Sequence, residues 1–129
     1  KQKLSYFGYG GTGKQIRDIL HISDLCRLID YQLHHFDKLN SQTFNVGGGV
    51  EASASLLELT EHCQIITGNK VPINPVLENR QADIRIYLTD NTKVTDVTGW
   101  KPEIGVGEIL KEIYNWIKDN EDSLKHILR

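Results

Sequence analysis

Residues 8–25 read Gly8-Tyr-Gly-Gly-Thr-Gly-Lys-Gln-Ile-Arg-Asp-Ile-Leu-His-Ile-Ser-Asp-Leu25, and the fold of this stretch decides which kind of site the chain carries. Gly8, Gly10 and Gly13 have the G-x-G-x-x-G spacing of a dinucleotide-binding loop. Together with Lys14 they also come close to the P-loop pattern, G-x-x-x-x-G-K-[ST]. A third interpretation takes the glycines as a tight turn between two strands and places the functional charge on Arg17.

The two glycine-loop patterns each lack a required part. A dinucleotide loop needs a helix directly after the glycines and an acidic residue about 20 residues later. Residues 16–22 are rich in β-branched side chains instead, and the acids near that distance fall inside a predicted helix. The P-loop pattern has Gln15 where a hydroxyl should hold Mg²⁺. It stays a minor alternative, because the apolar run Ile84–Asp90 ends in an acid that would be its partner.

The third interpretation follows from strand geometry. Successive side chains of a strand point to opposite faces, so Arg17, Ile19 and His21 share one face of a strand over residues 16–22. Arg17 would then project from a rigid element, and its planar guanidinium can hold two phosphate oxygens at once. We therefore expect a phosphate-binding group at Arg17 and a turn at the glycines.

The rest of the chain predicts one α/β domain over residues 1–129, with short strands and about four helices. Strands are predicted over residues 4–7, 16–22, 43–46, 71–76 and 84–88. The prolines of the fourth confine it to a sheet edge or make it an irregular stretch. Helices are predicted over about 23–38, 53 or 55 to 68, 90 or 91 to 97, and 106–120. Leu56, Leu59 and Cys63 are expected to face inward on the second of these helices.

Composition limits the function. The net charge of −2 gives no general attraction to nucleic acid or to anionic membranes, and no apolar run is long enough to cross a bilayer. Cys26 and Cys63 are isolated, which predicts small buried thiols in a reducing, cytoplasmic compartment. The pairs His34-His35 and His62-Cys63 diverge around a helix, so we expect no metal site.

Several co-linear motifs resemble one family. The segment from Gly13 to Leu25 is similar to the R-D-x-x-H-V-x-D-L segment of extended short-chain dehydrogenase/reductase enzymes, the NAD-dependent nucleotide-sugar epimerases and dehydratases. Further matches are Phe44-Asn-Val-Gly-Gly48, Arg80-Gln-Ala-Asp-Ile-Arg85 (with Ala in place of the family's glycine), Asp90-Asn-Thr-Lys93 and Gly99-Trp-Lys-Pro102. Within this family the glycine segment is most similar to the CDP-paratose (CDP-tyvelose) 2-epimerase branch.

The resemblance implies that the chain is the C-terminal, substrate-binding portion of the fold. It implies that Arg17 and Arg80 contact the diphosphate of a nucleotide sugar, here a CDP-sugar, with Asn45 as a hydrogen-bonding neighbour. Tyr9 is either a stacking group beside the nucleoside or an ordinary turn residue. His21 is expected to be packed or backbone-bonded. Asp18, Asp24, Asp83 and Asp90 are expected to cap helices and pair with arginines.

The resemblance also implies that NAD and the catalytic Tyr-x-x-x-Lys pair belong to a domain absent from this chain. Tyr114 and Lys118 repeat that spacing, but on the last helix, where the family has no catalytic pair. No catalytic or cofactor-binding residue is therefore expected here, and the missing methionine suits a fragment that is inactive alone. A dehydratase fragment and a stand-alone nucleotide-diphosphate-binding module remain alternatives. Apolar surface exposed by the missing domain would favour homo-oligomers.

Overall fold

The computed structural model describes residues 3–79, 81 and 83–127, and its elements are short strands alternating with helices. The strands are β1 (Leu4–Phe7), β2 (Ile16–Asp18), β3 (Ser53–Ser55), β4 (Ile73–Val76) and β5 (Ile86–Tyr87). The helices are α1 (Ile22–His34), α2 (Phe36–Leu39), α3 (Leu56–Thr67), α4 (Thr92–Thr98), α5 (Val106–Asp119) and α6 (Glu121–Leu124). The predicted α/β class is confirmed.

The strands form two small sheets. β1 pairs in parallel with β4, with Leu4 opposite Ile73. β2 is the central strand of the other sheet, antiparallel to β3 and parallel to β5, with Arg17 opposite both Ala54 and Tyr87. The glycine segment therefore connects strands of two different sheets, and a 3₁₀ turn over Tyr9–Gly11 occupies its centre.

Helix ends follow ordinary capping chemistry. Ser55 caps α3 in a reciprocal box with Glu58, and Gly68 ends that helix in the left-handed conformation, as the sequence predicts. At α1 the cap lies earlier than expected, because the Nδ1 of His21 accepts the backbone N–H of Ser23. α1 also ends at His34, so the predicted helix to Lys38 is split into α1 and α2.

A core cluster joins α1 to α4 and to the segment that follows α4. Leu28, Val94 and Trp100 are buried, and Leu20, Phe44 and Val46 pack against them. The indole Nε1 of Trp100 donates to the backbone oxygen of Asp24 at 2.8 Å. Leu20 lies two residues after β2, so the cluster anchors the chain just beyond the end of that strand.

Five sequence expectations are wrong. Residues 43–46 are not a strand, because in the described chain their backbone joins neither sheet; Phe44 and Val46 alternate inward toward the core cluster instead. The strand predicted over 16–22 stops at Asp18, and the strand at Ser53–Ser55 was not predicted. Cys26 and Cys63 are exposed, not buried. Leu56, predicted to face inward on its helix, is exposed, as are Leu33, Phe36, Ile113 and Trp116 on other helices.

Candidate functional site

Arg17 occupies the middle of β2, with a strand on each side, so its backbone is held rigidly. Its Nη1 donates to the carbonyl of Ile16 at 2.8 Å, and its Nη2 lies 3.1 Å from Oδ1 of Asp83. The side chain of Arg17 is 41% exposed, against 21% for Asp83. A guanidinium has five N–H donors, and these two bonds leave three without an acceptor among the described residues. Arg17 can therefore bind an anion while it stays paired with Asp83.

A cavity of about 310 Å³ lies beside this ion pair. Arg17, Asp83 and Gln15 supply its charged and amide groups. Much of the remaining wall is apolar and consists of Phe7 of β1, Ile19, Ala54 of β3, and Leu56 and Leu59 of α3. Arg17 and Ile19 both line it, which agrees with the shared strand face that alternation predicts. The cavity thus has a cationic group at an apolar pocket, the arrangement that suits an organic phosphate.

The glycine segment is a turn and not a phosphate cradle. A Cβ on Gly11 would stand 2.5 Å from the Cβ of Pro75, and one on Gly13 would stand 2.7 Å from ring carbons of Tyr6. Close packing within the protein therefore explains why these two positions are glycines. β2 also follows the glycines where both loop patterns require a helix. The described residues fit neither an NAD pyrophosphate nor a P-loop, so the P-loop alternative is wrong and the turn is confirmed.

Tyr9 links the turn to the segment that follows β4. Its backbone N–H donates to Oδ1 of Asn79 at 2.7 Å, and its hydroxyl donates to the backbone oxygen of Asp83 at 2.6 Å. Tyr9 has φ of 47°, a strained value for a tyrosine that these two bonds help to hold. The structure therefore gives the hydroxyl of Tyr9 a bond within the protein, to the backbone of the aspartate that pairs with Arg17.

Asn45 lies apart from this cluster. It is exposed between the inward-facing Phe44 and Val46, and the described residues that line the Arg17 cavity do not include it. Lys93 fixes the preceding backbone, because its Nζ donates to the carbonyl of Thr43 at 2.9 Å and lies 5.3 Å from the ring centre of Phe44. The predicted neighbour of the diphosphate is thus on a well-held loop. Arg80, the second predicted phosphate contact, lies outside the described residues.

Asp18 and its partners hold that loop against β2. Oδ2 of Asp18 accepts the backbone N–H of Gly49 at 3.0 Å. The amide of Asn91 bonds both backbone groups of Gly47, at 3.1 and 2.9 Å. Burial raises the pKa of Asp18, but hydrogen bonds from Thr89 and Gly49 outweigh it and hold that pKa below its usual value. The carboxylate of Asp18 is therefore used in structure, as expected.

The other expected structural groups also have protein partners. His21 accepts a backbone N–H at Nδ1, so Nε2 carries the proton and donates to Oε2 of Glu112 at 2.8 Å. Asp24 is buried and bonds Arg27, and Asp90 accepts the N–H of Thr92. Tyr114 and Lys118 lie on α5, away from the Arg17 cavity lining. Their assignment as an ordinary part of an amphipathic helix agrees with this position.

Gln15 belongs to the site, although in the sequence it stands out only as a misfit to the P-loop pattern. In the structure it is buried in the cavity wall, and its Nε2 donates to the carbonyl of Phe7. The sequence feature that could have identified Gln15 is its place two residues before Arg17, on the same side of an extended segment.

Among the described residues, no group of three or more His, Cys, Asp or Glu side chains is placed to hold a metal ion. None of the helices in the described ranges has the length and apolar character to span a membrane.

Comparison with known proteins gives consistent similarities. A family model described as GDP-mannose 4,6 dehydratase matches residues 1–113. The CDP-paratose 2-epimerase of Salmonella typhi is 31% identical over 115 residues, which cover 85% of this chain and 32% of that protein. The chain therefore spans about a third of the length of this relative.

Solved structures share the fold. A UDP-glucuronic acid 4-epimerase from Bacillus cereus, in complex with UDP-glucuronic acid and NAD, superposes with a TM-score of 0.77 at 24% identity, covering 92% of this chain and 36% of that one. A dTDP-glucose 4,6-dehydratase from Bacillus anthracis, in complex with NAD, superposes with a TM-score of 0.67 at 26% identity. The match covers 87% of this chain and 34% of that one. Epimerases and dehydratases are both among the similar proteins.

Proposed function

The chain belongs to the GDP-mannose 4,6-dehydratase family of extended short-chain dehydrogenase/reductase enzymes, and we propose that it supplies the site for the nucleotide diphosphate of a sugar substrate. Arg17 binds the diphosphate, together with Arg80, and Asn45 and Tyr9 are neighbouring contacts. The observation that carries this proposal is the half-exposed guanidinium of Arg17, which keeps free N–H donors at the edge of an apolar cavity.

The role of Arg17 in this proposal is to bind and orient. Its pairing with Asp83 restricts rotation of the guanidinium, so less freedom is lost when a phosphate binds. Two N–H groups aimed at two phosphate oxygens fix the position of the diphosphate as well as neutralising charge. The remaining apolar wall excludes water from the nucleoside side of the substrate.

We propose that the whole protein is an NAD-dependent nucleotide-sugar epimerase resembling CDP-paratose 2-epimerase, acting on a CDP-sugar. Support comes from the similarity to the Salmonella typhi enzyme of that name. NAD would supply hydride transfer when bound. Because the glycine segment described here does not fit its pyrophosphate, NAD would bind to a domain outside these 129 residues, which themselves form one substrate-binding domain that is inactive alone.

A second candidate function is a dehydratase, which the family description and the Bacillus anthracis structure support. Both reactions use the same nucleotide-diphosphate site, so the role of Arg17 is common to them. A stand-alone binding module would use that site too. Product analysis of the complete reading frame with NAD and a CDP-sugar distinguishes an epimer, a dehydrated sugar and no reaction.

Isothermal titration of CDP into the 129-residue chain tests the proposed site. We expect Arg17→Ala to weaken binding by about 10- to 100-fold, as for loss of a charge-assisted hydrogen bond. The control is Lys14→Ala, an exposed lysine three residues away, which should bind CDP as the wild type does. Equal binding by the wild type and Arg17→Ala would contradict the proposal, and loss of binding in Lys14→Ala alone would move the phosphate to the glycine turn.

A further inference from the structure

The turn at Gly8–Gly11 contains one residue whose backbone conformation is unfavourable for its type. All four residues of this turn have positive φ, and three of them are glycines, which adopt such values freely. Tyr9, at φ 47°, is the exception, because a residue with a Cβ is disfavoured in this region. A strained residue of this kind persists only where surrounding contacts hold it. A tyrosine at this position therefore points to contacts that a fourth glycine could not make.

These contacts are with the segment between β4 and β5. The hydroxyl of Tyr9 donates to the backbone oxygen of Asp83 at 2.6 Å, and its backbone N–H donates to Oδ1 of Asn79 at 2.7 Å. The described residues of this segment, 77–79, 81 and 83–85, belong to no helix or strand, so Asp83 is not held by a ladder of backbone hydrogen bonds. The bond from the hydroxyl of Tyr9 therefore contributes directly to the position of Asp83.

Asp83 in turn restrains Arg17. Its Oδ1 lies 3.1 Å from Nη2 of Arg17, and its Oδ2 lies 3.4 Å from Nε2 of Gln15. Because Asp83 is held at its backbone oxygen and at both side-chain oxygens, the guanidinium that pairs with it loses freedom before a ligand binds. Without this pair, the bond from Nη1 to the carbonyl of Ile16 would be the remaining described restraint on a side chain that is 41% exposed.

We propose that Tyr9 is a positioning residue of the diphosphate site, and that its hydroxyl acts through Asp83 on Arg17. The hydroxyl holds Asp83 where its carboxylate pairs with Nη2, and the remaining N–H groups of Arg17 stay available to phosphate oxygens. This role belongs to the hydroxyl and is separate from any contact of the ring with a nucleoside. It rests on the proposed diphosphate site at Arg17.

NMR titrations with CDP and with inorganic pyrophosphate test the role of the hydroxyl, because pyrophosphate has no base on which a ring could stack. Tyr9→Phe keeps the ring and removes the bond to Asp83, so we expect it to weaken the binding of both ligands by about 3- to 10-fold. The matched control is Tyr6→Phe, which also loses a tyrosine hydroxyl bond, to Oγ1 of Thr60 at 2.7 Å. That bond does not involve Asp83, so Tyr6→Phe should bind both ligands as the wild type does.

The effect of the hydroxyl should also depend on Arg17. In the Arg17→Ala background, Tyr9→Phe should leave the remaining affinity for CDP unchanged, because the group that the hydroxyl positions is gone. Urea unfolding of Tyr9→Phe and Tyr6→Phe measures what each hydroxyl contributes to stability. Similar losses of stability in both variants, with weaker ligand binding in Tyr9→Phe alone, would separate positioning from a general loosening of the fold.

The results distinguish this inference from the function on which it rests. If Tyr9→Phe binds CDP as the wild type does while Arg17→Ala binds it weakly, the inference is wrong and the diphosphate site stands. The inference is also wrong if Tyr9→Phe and Tyr6→Phe weaken binding equally, or if Tyr9→Phe weakens the binding of CDP but not of pyrophosphate. If the wild type binds neither ligand, both the inference and the site are wrong.

A second variant decides if Tyr9→Phe does not fold. Asn79→Ala removes the other bond to Tyr9 by truncating an exposed side chain, and it should also weaken the binding of both ligands. Unchanged binding of CDP by folded Asn79→Ala would then overturn the inference.

Discussion

Arg17 and Asp83, 66 residues apart in the sequence, form an ion pair of 3.1 Å between Nη2 and Oδ1. The hydroxyl of Tyr9 bonds the backbone oxygen of the same aspartate at 2.6 Å. The two contacts bring the strand that carries Arg17, the glycine turn and the segment after β4 to one place. Asp83 is thus the point at which three distant parts of the sequence meet beside the cavity.

The ion pair itself should add little to stability. Arg17 and Asp83 are both partly exposed, and exposed pairs contribute about 0.2–1 kcal/mol. A double-mutant cycle with Arg17→Ala, Asp83→Ala and the double variant, measured by urea unfolding, should give a coupling free energy in that range. A coupling above about 2 kcal/mol would mean that the pair is a structural element and that Arg17 is less available to a ligand.

Asp24 should be far more important for stability. It is 2% exposed, and its Oδ2 accepts the backbone N–H groups of Glu103 and Ile104, each at 3.1 Å. Asp24→Ala leaves these two backbone donors without their acceptor, while Arg27 keeps its pair with Glu103, so we expect a loss of about 2–6 kcal/mol in the free energy of unfolding. Urea denaturation followed by circular dichroism measures it.

Glu103 provides the matched control for that variant. Its carboxylate also pairs with Arg27, at 2.6 Å, but its side chain is 61% exposed. Glu103→Ala should therefore cost less than about 1 kcal/mol. Equal losses for Asp24→Ala and Glu103→Ala would show that burial of Asp24 is not what makes it important.

Stability should fall in acid in a way that depends on Asp18. Hydrogen bonds from Thr89 and Gly49 outweigh burial and lower its pKa in the folded chain. The contribution of Asp18 to the free energy of unfolding is therefore complete above its pKa in the unfolded chain, about 3.9. It is lost as the pH falls through the lower pKa that Asp18 has in the folded chain. Asp18→Asn should lower stability at pH 7 and make the fall between pH 5 and pH 3 shallower, as measured by urea unfolding at each pH. An unchanged acid dependence would contradict this account.

The capping box of α3 gives a prediction for a single hydroxyl. Oγ of Ser55 accepts the backbone N–H of Glu58 at 3.2 Å, and Oε2 of Glu58 accepts the backbone N–H of Ser55 at 2.7 Å. Ser55→Ala should destabilise the chain by about 1 kcal/mol. Ser53→Ala, two residues earlier, removes only an exposed bond to the carbonyl of Val50 and should cost about 0.5 kcal/mol or less. A larger loss at Ser53 than at Ser55 would argue against the cap.

Apolar spacing and helix-end residues in the sequence predicted the elements that depend on neighbouring residues alone. β1, the α3 helix with its stop at Gly68, and α5 lie close to their predicted bounds. Residues 43–46 alternate like a strand, but a strand also needs a neighbour, and here Lys93 and Asn91 hold the loop through side chains. β3 was missed because its Ser-Ala-Ser sequence has no strand signal of its own and exists through pairing with β2.

The site was predictable where it depends on alternation along one strand, and not where it depends on contacts between distant residues. Strand alternation placed Arg17 and Ile19 on one face. Asp83 was expected among the acids that cap helices or pair with arginines, and it pairs with Arg17 at 3.1 Å. The role of Gln15 depends on two long-range acceptors, Phe7 and Asp83, that no spacing in the sequence reveals. The binding roles of Arg17, Arg80, Asn45 and Tyr9 remain predictions.

The most direct test of the diphosphate site is a two-dimensional ¹⁵N–¹H NMR titration of the 129-residue chain with CDP. We predict that the largest shifts fall on the backbone amides of Ile16–Asp18 and of the turn at Gly8–Gly13, and on the Nε–H of Arg17. In Arg17→Ala the same additions of CDP should leave these amides nearly unmoved. Shifts confined to α5, or shifts around β2 that persist unchanged in Arg17→Ala, would contradict the account.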